Sequence, residues 1–255
     1  MASFVSFSFS DMYRIEKNTT AWNAFFCERV RERFERTFCE PFEDAIAKWF
    51  DGVTFRYDGP STISYDGDLT PMLQTDRPRI LVLGTIRDNV KVRQTTMSCI
   101  KALSQNERKP IILSTLSCGV GQIACSSANE YGMQCVVSLP CGIDEMYPLN
   151  AETLASEIKQ HGGAIVSSFP DKDHPSPFNI IARTRFLVAY SDTLVIPACR
   201  NHGNAIVAAK LAKELNIDVY AVPGNPNEAC FAGNNELISK GIAKILPSYE
   251  TLKSL

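Results

Sequence analysis

Residues 178–246 decide the fold, and they read FNIIARTRFLVAYSDTLVIPACRNHGNAIVAAKLAKELNIDVYAVPGNPNEACFAGNNELISKGIAKIL. A helical pattern at 177–191 leads into an apolar, β-branched run at 193–197. A second helical pattern at 203–215 leads into a second apolar run at 218–223. Helix and strand patterns that alternate in this way are typical of βαβ units, in which helices join parallel strands.

The same alternation extends upstream to Arg79. Further strands are predicted at 79–84, 110–115, 134–139, 163–168 and 243–246, and further helices near 89–104, 120–132, 151–161 and 233–241. The strand segments are almost continuously apolar, as expected for strands that are covered on both faces. The sequence therefore predicts an α/β fold with a doubly wound, mainly parallel Rossmann-like sheet. Ligands of such sheets lie beyond the carboxyl ends of the strands.

A helical N-terminal extension is predicted in front of this sheet. Large apolar residues recur at every fourth position between 21 and 38, which indicates an amphipathic helix: Trp22, Phe26, Val30, Phe34 and Phe38. A second helix follows Pro41 and carries Phe42, Ile46 and Trp49. We expect the aromatic stripe to pack on the main domain, with a partner-binding surface as the alternative. The predicted domains are an N-terminal extension and connector at 1–64 and a Rossmann-like domain at 65–255.

Composition limits the function classes. The formal net charge is −2, so any nucleic-acid binding requires a local cationic pocket instead of a basic coat. The nine cysteines include no C-x-x-C pair and the three histidines lack metal-ligand spacing, which favours free thiols in a reducing compartment and no metal or cofactor. No run approaches the roughly 20 apolar residues that a membrane-spanning helix needs. We expect a cytoplasmic protein.

Three strand-to-helix junctions carry small residues and predict an anion site. Backbone N–H groups at such junctions attract anions, and the helix dipole adds to the attraction. Each glycine taken alone is explained equally well by a tight turn. Together with a neighbouring arginine the three junctions predict a phosphate-binding rim. Its residues are Gly84, Thr85, Arg87, Ser117, Gly119, Gly203 and Asn204.

Arg183 and Arg185 complete the predicted rim. Two residues on a helix are separated by about 200° around its axis, so these arginines cannot share one face. We expect one of them to reach the ligand and the other to tie the helix to a neighbouring element. The alternative is that both lie at the boundary of the core. Cys118 and His202 have no orienting acid in the sequence, so no catalytic residue is predicted.

The order of these motifs resembles the DNA-processing protein DprA family over roughly residues 65–246. Its G-S-R turn, F-x-x-R-N-R helix, G-S-L-x-T-A, A-V-P-G and G-x-N-x-L-I elements are matched, with displacements, by Gly84 to Arg87, Arg183 to Arg185, Gly203 to Ala208, Ala221 to Gly224, and Gly233 with Asn235. The family's G-x-D-x-x-Y-P turn is matched by Gly142 to Pro148 and is expected to shape the rim. Thr115 and Gly121 depart from the family's glycine and aspartate.

This resemblance implies a homodimer that binds single-stranded DNA in a basic pocket and assists a RecA-type recombinase during natural transformation, without being an enzyme. Single-strand binding usually also uses stacking aromatic residues, and the sequence does not identify them.

A small-molecule site is the alternative. Rossmann-like domains of this type also resemble nucleotide-ligand sensors and the nucleoside-monophosphate glycosidases of the lysine-decarboxylase-like family. Such a glycosidase needs a P-G-G-x-G-T-x-x-E element, whereas residues 197–208 carry no carboxylate. Hydrolysis is therefore disfavoured, because a general acid or base must lie within reach of its proton. A sensor that binds a nucleotide or nucleoside monophosphate stays open, and the net charge of −2 favours it slightly over extended DNA binding.

Overall fold

A computed structural model describes residues 18–21, 28–51, 62–73 and 76–255. Numbered in chain order, its strands are β1 Asn18–Ala21, β2 Thr62–Gly67, β3 Arg79–Val82, β4 Ile111–Ser114, β5 Cys135–Ser138, β6 Ala164–Ser167, β7 Thr193–Ile196, β8 Asp218–Ala221 and β9 Lys244–Ile245. They form one sheet in the order β1-β2-β6-β5-β4-β3-β7-β8-β9.

The strands β3 to β9 run parallel, and β3 lies at the centre of these seven strands. Leu81 of β3 pairs in register with Leu113 of β4 on one side and Leu194 of β7 on the other. The chain builds outward from β3 to β6 and then crosses back to β7, so the strand order switches between β3 and β7. This arrangement confirms the predicted doubly wound, mainly parallel fold, and it places the expected ligand site at the β3/β7 switch point.

The helices are α1 Glu28–Phe38, α2 Phe42–Asp51, α3 Thr70–Leu73, α4 Val90–Ser104, α5 Val120–Glu130, α6 Glu152–Gln160, α7 Pro177–Tyr190, α8 Asn204–Glu214 and α9 Ala232–Ser239. Caps in the sequence fix where two of them begin. The Asn89 side chain accepts a hydrogen bond from the Val92 amide, and Ser176 accepts one from the Asn179 amide, with Pro177 in the first turn. Both helices therefore begin within one residue of the predicted position.

The core lies on both faces of the sheet. Ile80 and Val82 of β3 belong to the cluster that also contains Ile100 of α4, whereas Leu81 belongs to the cluster with Phe186 of α7. Successive side chains of a strand point to opposite faces, so each central strand needs apolar residues at every position. All four residues of β3 are buried, as they are in β4, β5, β6 and β7.

The N-terminal helices pack on the main domain, as predicted for their described residues. The Phe34 ring lies edge-on to Phe42, with the ring centroids 5.9 Å apart, and edge-on to Trp49 at 5.8 Å. All three rings belong to the same buried cluster as Phe186. Trp22 and Phe26, the first two members of the predicted stripe, lie outside the described residues.

The prediction of a helix from residue 21 is wrong at its first position, because Ala21 ends strand β1. This strand reads NTTA and pairs antiparallel with β2, an extended pairing that β-branched threonines favour. The extension is thus helical at 28–51 and contributes a strand at the sheet edge. Strand β2 spans residue 64, the end of the predicted N-terminal extension, and pairs antiparallel with β6.

Candidate functional site

A cavity of about 210 Å³ lies at the carboxyl edge of the sheet. Residues that follow β3, β4 and β5 line it, together with residues of α7 and the first turn of α8. We call this space the Arg183 cavity, and its lining includes Gly84, Thr115, Ser117, Tyr147, Arg183 and Asn204. Pockets for drug-sized ligands are larger, about 300–1,000 Å³, so this space suits a small group such as a phosphate.

Arg183 places a positive charge in the wall of this cavity. The residue is only 4% exposed, and among the described residues its Nε finds no hydrogen-bond acceptor. Burial lowers the pKa of Arg183 to about 10, with smaller opposite effects from Cys141 and Tyr147, and no carboxylate is among these causes. The guanidinium therefore stays charged at neutral pH. A buried charge without a partner costs several kcal/mol, a cost that a ligand of opposite charge offsets.

The amino terminus of α8 opens on the same cavity. Gly203 precedes the helix in an extended conformation, and no side chain caps this end. Asn204 and Ala205 of the first turn line the cavity. The Asn204 Nδ2 donates a hydrogen bond of 2.6 Å to the Thr184 Oγ1, which fixes α8 against α7. Free N–H groups and the helix dipole together favour an anion at this position.

Glycines let the turns beside the cavity pack closely against one another. Gly119 has a φ of 71°, and a Cβ on it would lie 2.3 Å from the Thr85 carbonyl oxygen. That carbonyl accepts a hydrogen bond of 3.0 Å from the Val120 amide, and the Thr85 amide donates to the Ala198 carbonyl at 2.8 Å. A Cβ on Gly84 would lie 2.4 Å from the same Ala198 oxygen. These backbone groups of Thr85 and Val120 form hydrogen bonds within the protein, and those hydrogen bonds hold the turns in place around the cavity.

The structure brings together part of the predicted rim. Gly84, Ser117, Arg183 and Asn204 line the Arg183 cavity, whereas Thr85, Arg87, Gly119, Arg185 and Gly203 do not. Thr85, Gly119 and Gly203 lie in the turns that form it.

The two remaining arginines have different surroundings. Arg87 is exposed on the turn after β3. Arg185 donates a hydrogen bond to the Trp49 carbonyl oxygen, and its guanidinium carbon lies 5.2 Å from the centre of the Trp49 ring.

Thr115 is a residue of the cavity that sequence reasoning treated only as a departure from a family motif. Its position directly after β4, on the strand next to β3, was the available signal.

In the described part of the chain, no three histidine, cysteine, aspartate or glutamate side chains are grouped so that they could hold a metal ion. Among the described helices, none has the length and apolar character needed to cross a membrane. All cysteines whose state is described are free thiols, and most of them are buried.

Curated relatives of this chain carry the names protein Smf and DNA processing protein DprA. A protein Smf from Synechocystis is 30% identical over 144 residues, which cover 56% of this chain and 36% of the relative. The DNA processing protein DprA from Streptococcus pneumoniae is 24% identical over 192 residues, covering 75% of this chain and 65% of the relative. The chain thus spans 36% and 65% of the length of these two proteins.

Solved structures of DprA share the fold. The Streptococcus pneumoniae DprA structure has a TM-score of 0.72 and 19% identity, covering 92% of this chain and 72% of its own. The Helicobacter pylori DprA structure, described for its single-stranded DNA binding mode, has a TM-score of 0.72 and 22% identity, covering 94% and 95%. The sequence model of the family described as DNA recombination-mediator protein A matches residues 43–254. This chain therefore belongs to the DNA recombination-mediator protein A family.

Proposed function

We propose that this chain binds single-stranded DNA, holding a backbone phosphate in the Arg183 cavity, and that it processes DNA as a binding protein without catalysis of its own. One observation carries the proposal: a buried guanidinium, whose Nε has no hydrogen-bond partner among the described residues, lines a cavity at the β3/β7 switch point. Membership of a DNA-processing family supports DNA as the source of the phosphate.

The chemistry of the cavity suits a phosphodiester. A guanidinium presents several N–H donors in a plane and binds phosphate oxygens through paired, charge-assisted hydrogen bonds. The amino terminus of α8 adds backbone donors on another wall of the same space. Bound phosphate would neutralise the charge of Arg183 and so remove the cost of burying it.

The charges around the cavity predict that the binding constant depends only weakly on salt concentration. Arg87 is exposed, while Lys91 pairs with Glu228 and Arg93 with Asp88. If Arg183 and Arg87 each contact one phosphate, the logarithm of the binding constant falls with the logarithm of salt concentration with a slope of about −1.4, at ~0.7 per contact on a single strand. A small slope is expected because the net charge of −2 leaves no generally basic surface to contact further phosphates.

The proposal extends to the biology that the family suggests. We infer a cytoplasmic homodimer that assists a RecA-type recombinase in natural transformation. Support for these parts is the family membership, together with the free thiols, which are typical of a reducing compartment.

A nucleotide sensor is the second candidate, because a cavity of about 210 Å³ also accepts the phosphate of a free nucleotide. Titration of fluorescent oligo-dT across a salt series, with dTMP and AMP as competitors, separates the two functions. We expect salt-sensitive oligo-dT binding that the mononucleotides displace only weakly. Absence of oligo-dT binding at low salt, with circular dichroism showing a folded protein, would contradict the DNA proposal. A rise in melting temperature with dTMP or AMP would then support the sensor.

A further inference from the structure

Tyr147 lies at the mouth of the Arg183 cavity. It is one of the residues that line the cavity, yet it is 41% exposed. It follows β5 and lies close enough to Arg183 to influence the pKa of that guanidinium. One half-exposed aromatic ring thus borders the space that would hold a phosphate.

Two other exposed aromatic residues of the described chain lie elsewhere. Phe178 is 61% exposed on α7, but it precedes Arg183 by five residues and is therefore turned about 140° from it around the helix axis. Tyr131 is 39% exposed and follows the last residue of α5. That helix begins beside the cavity and carries the chain about 16 Å away from it. Tyr131 lines a separate groove with Arg77 and Lys109.

The chemical structure of single-stranded DNA indicates what an aromatic ring at this position would contact. Each base is joined to its phosphate through one sugar, so a base emerges next to a phosphate held in the cavity. Aromatic side chains in single-strand sites stack on bases, a contact that tolerates every base because each has a π-face. Tyrosine suits a half-exposed site since it combines an apolar ring with a polar hydroxyl.

We propose that Tyr147 is the base-stacking residue of this site and that its contact makes the site select nucleobase-bearing single strands over bare phosphodiester. The inference rests on the proposed function and adds a recognition element to it. A base in a duplex is already stacked on its neighbours, so the same contact disfavours double-stranded DNA.

The test compares oligo-dT with an abasic oligonucleotide of the same length, using wild type, Tyr147→Ala, Tyr147→Phe and Tyr131→Ala. We expect wild type to bind oligo-dT more tightly than the abasic strand. Loss of one stacking contact lowers affinity roughly 5- to 150-fold, so Tyr147→Ala should lose this much for oligo-dT and little for the abasic strand. Tyr147→Phe should bind like wild type. Tyr131→Ala, the matched control, should do the same.

The salt slope gives an independent readout, because the Tyr147→Ala change removes no charge and should leave the slope for oligo-dT unchanged. Equal binding of oligo-dT by Tyr147→Ala and wild type would overturn the inference and leave the phosphate site standing. Equal affinity of wild type for oligo-dT and the abasic strand would overturn it without any variant. Failure of wild type to bind oligo-dT at low salt would overturn both the inference and the proposed function.

Discussion

Arg183 and Arg185 lie two residues apart on α7, and their guanidinium groups serve different parts of the molecule. Arg183 is 4% exposed and lines the cavity without a partner for its Nε among the described residues. Arg185 donates to the Trp49 carbonyl oxygen and lies over the Trp49 ring, which joins α7 to α2. The angle of about 200° between the two positions makes this division possible.

Arg183→Met should stabilise the protein in the absence of ligand. The variant keeps most of the side-chain volume and removes a buried charge, so we expect the free energy of unfolding to rise by about 1 kcal/mol or more. Urea unfolding followed by circular dichroism measures this change. A clear loss of stability would mean that Arg183 has a stabilising partner in the folded protein.

Arg185→Met should lower stability. It removes a hydrogen bond to the Trp49 carbonyl and a cation–π contact, which together contribute about 1–2 kcal/mol. The same urea titration gives the measurement, and Arg183→Met serves as the matched control on the same helix. Unchanged stability would contradict the assignment of Arg185 to the α2 contact.

Asp192→Asn should be strongly destabilising, because this carboxylate forms ion pairs with three arginines. Its oxygens lie 2.8 Å from Arg29 Nη2, 2.9 Å from Arg33 Nη2 and 3.2 Å from Arg79 Nε. Arg79 is fully buried, so loss of the carboxylate removes the countercharge that Asp192 provides to this buried guanidinium. We expect a cost of about 3–5 kcal/mol in urea unfolding. A cost below about 1 kcal/mol, the scale of exposed pairs, would show that the cluster contributes like a surface ion pair.

The Asp192 carboxylate should make the free energy of unfolding depend on pH in the acid range. Burial alone raises the pKa of Asp192, but Arg79 and Arg29 outweigh it, and the net pKa lies below the ordinary value. The stabilisation is therefore present above the unfolded pKa of about 3.9 and is lost as pH falls through the lower folded pKa. Urea unfolding at a series of pH values should show this loss in wild type, with a shallower dependence in Asp192→Asn. Parallel pH profiles for the two proteins would contradict the pKa shift.

The central sheet was predictable because burial on both faces requires a continuous apolar run. Strand β4, observed at Ile111–Ser114, was predicted at 110–115 for this reason. Strand β1 was missed because it is short and polar and depends on pairing with β2. Edge strands carry little of the pattern that identifies buried ones.

The site was predictable in outline, since strand ends and glycines mark the turns, but partners from distant elements were not. Asn234 is fully buried, accepts from the Cys199 amide at 2.6 Å and donates to the Ile196 and Val222 carbonyls at 2.9 Å. Sequence reasoning singled out only its neighbour Asn235, which bonds both backbone groups of Gly224. Likewise, the lack of a hydrogen-bond partner for the Arg183 Nε among the described residues depends on every element packed around it.

The most direct test of the account is an oligo-dT titration of wild type, Arg183→Met and Arg185→Met across one salt series. Charge-assisted hydrogen bonds contribute about 1.5–3 kcal/mol each, so Arg183→Met should weaken binding at least about tenfold. It should also make the salt slope shallower by about 0.7, the share of one phosphate contact. Arg185→Met should leave affinity and slope unchanged. Equal effects of the two variants, or unchanged binding by Arg183→Met, would contradict a phosphate site at Arg183.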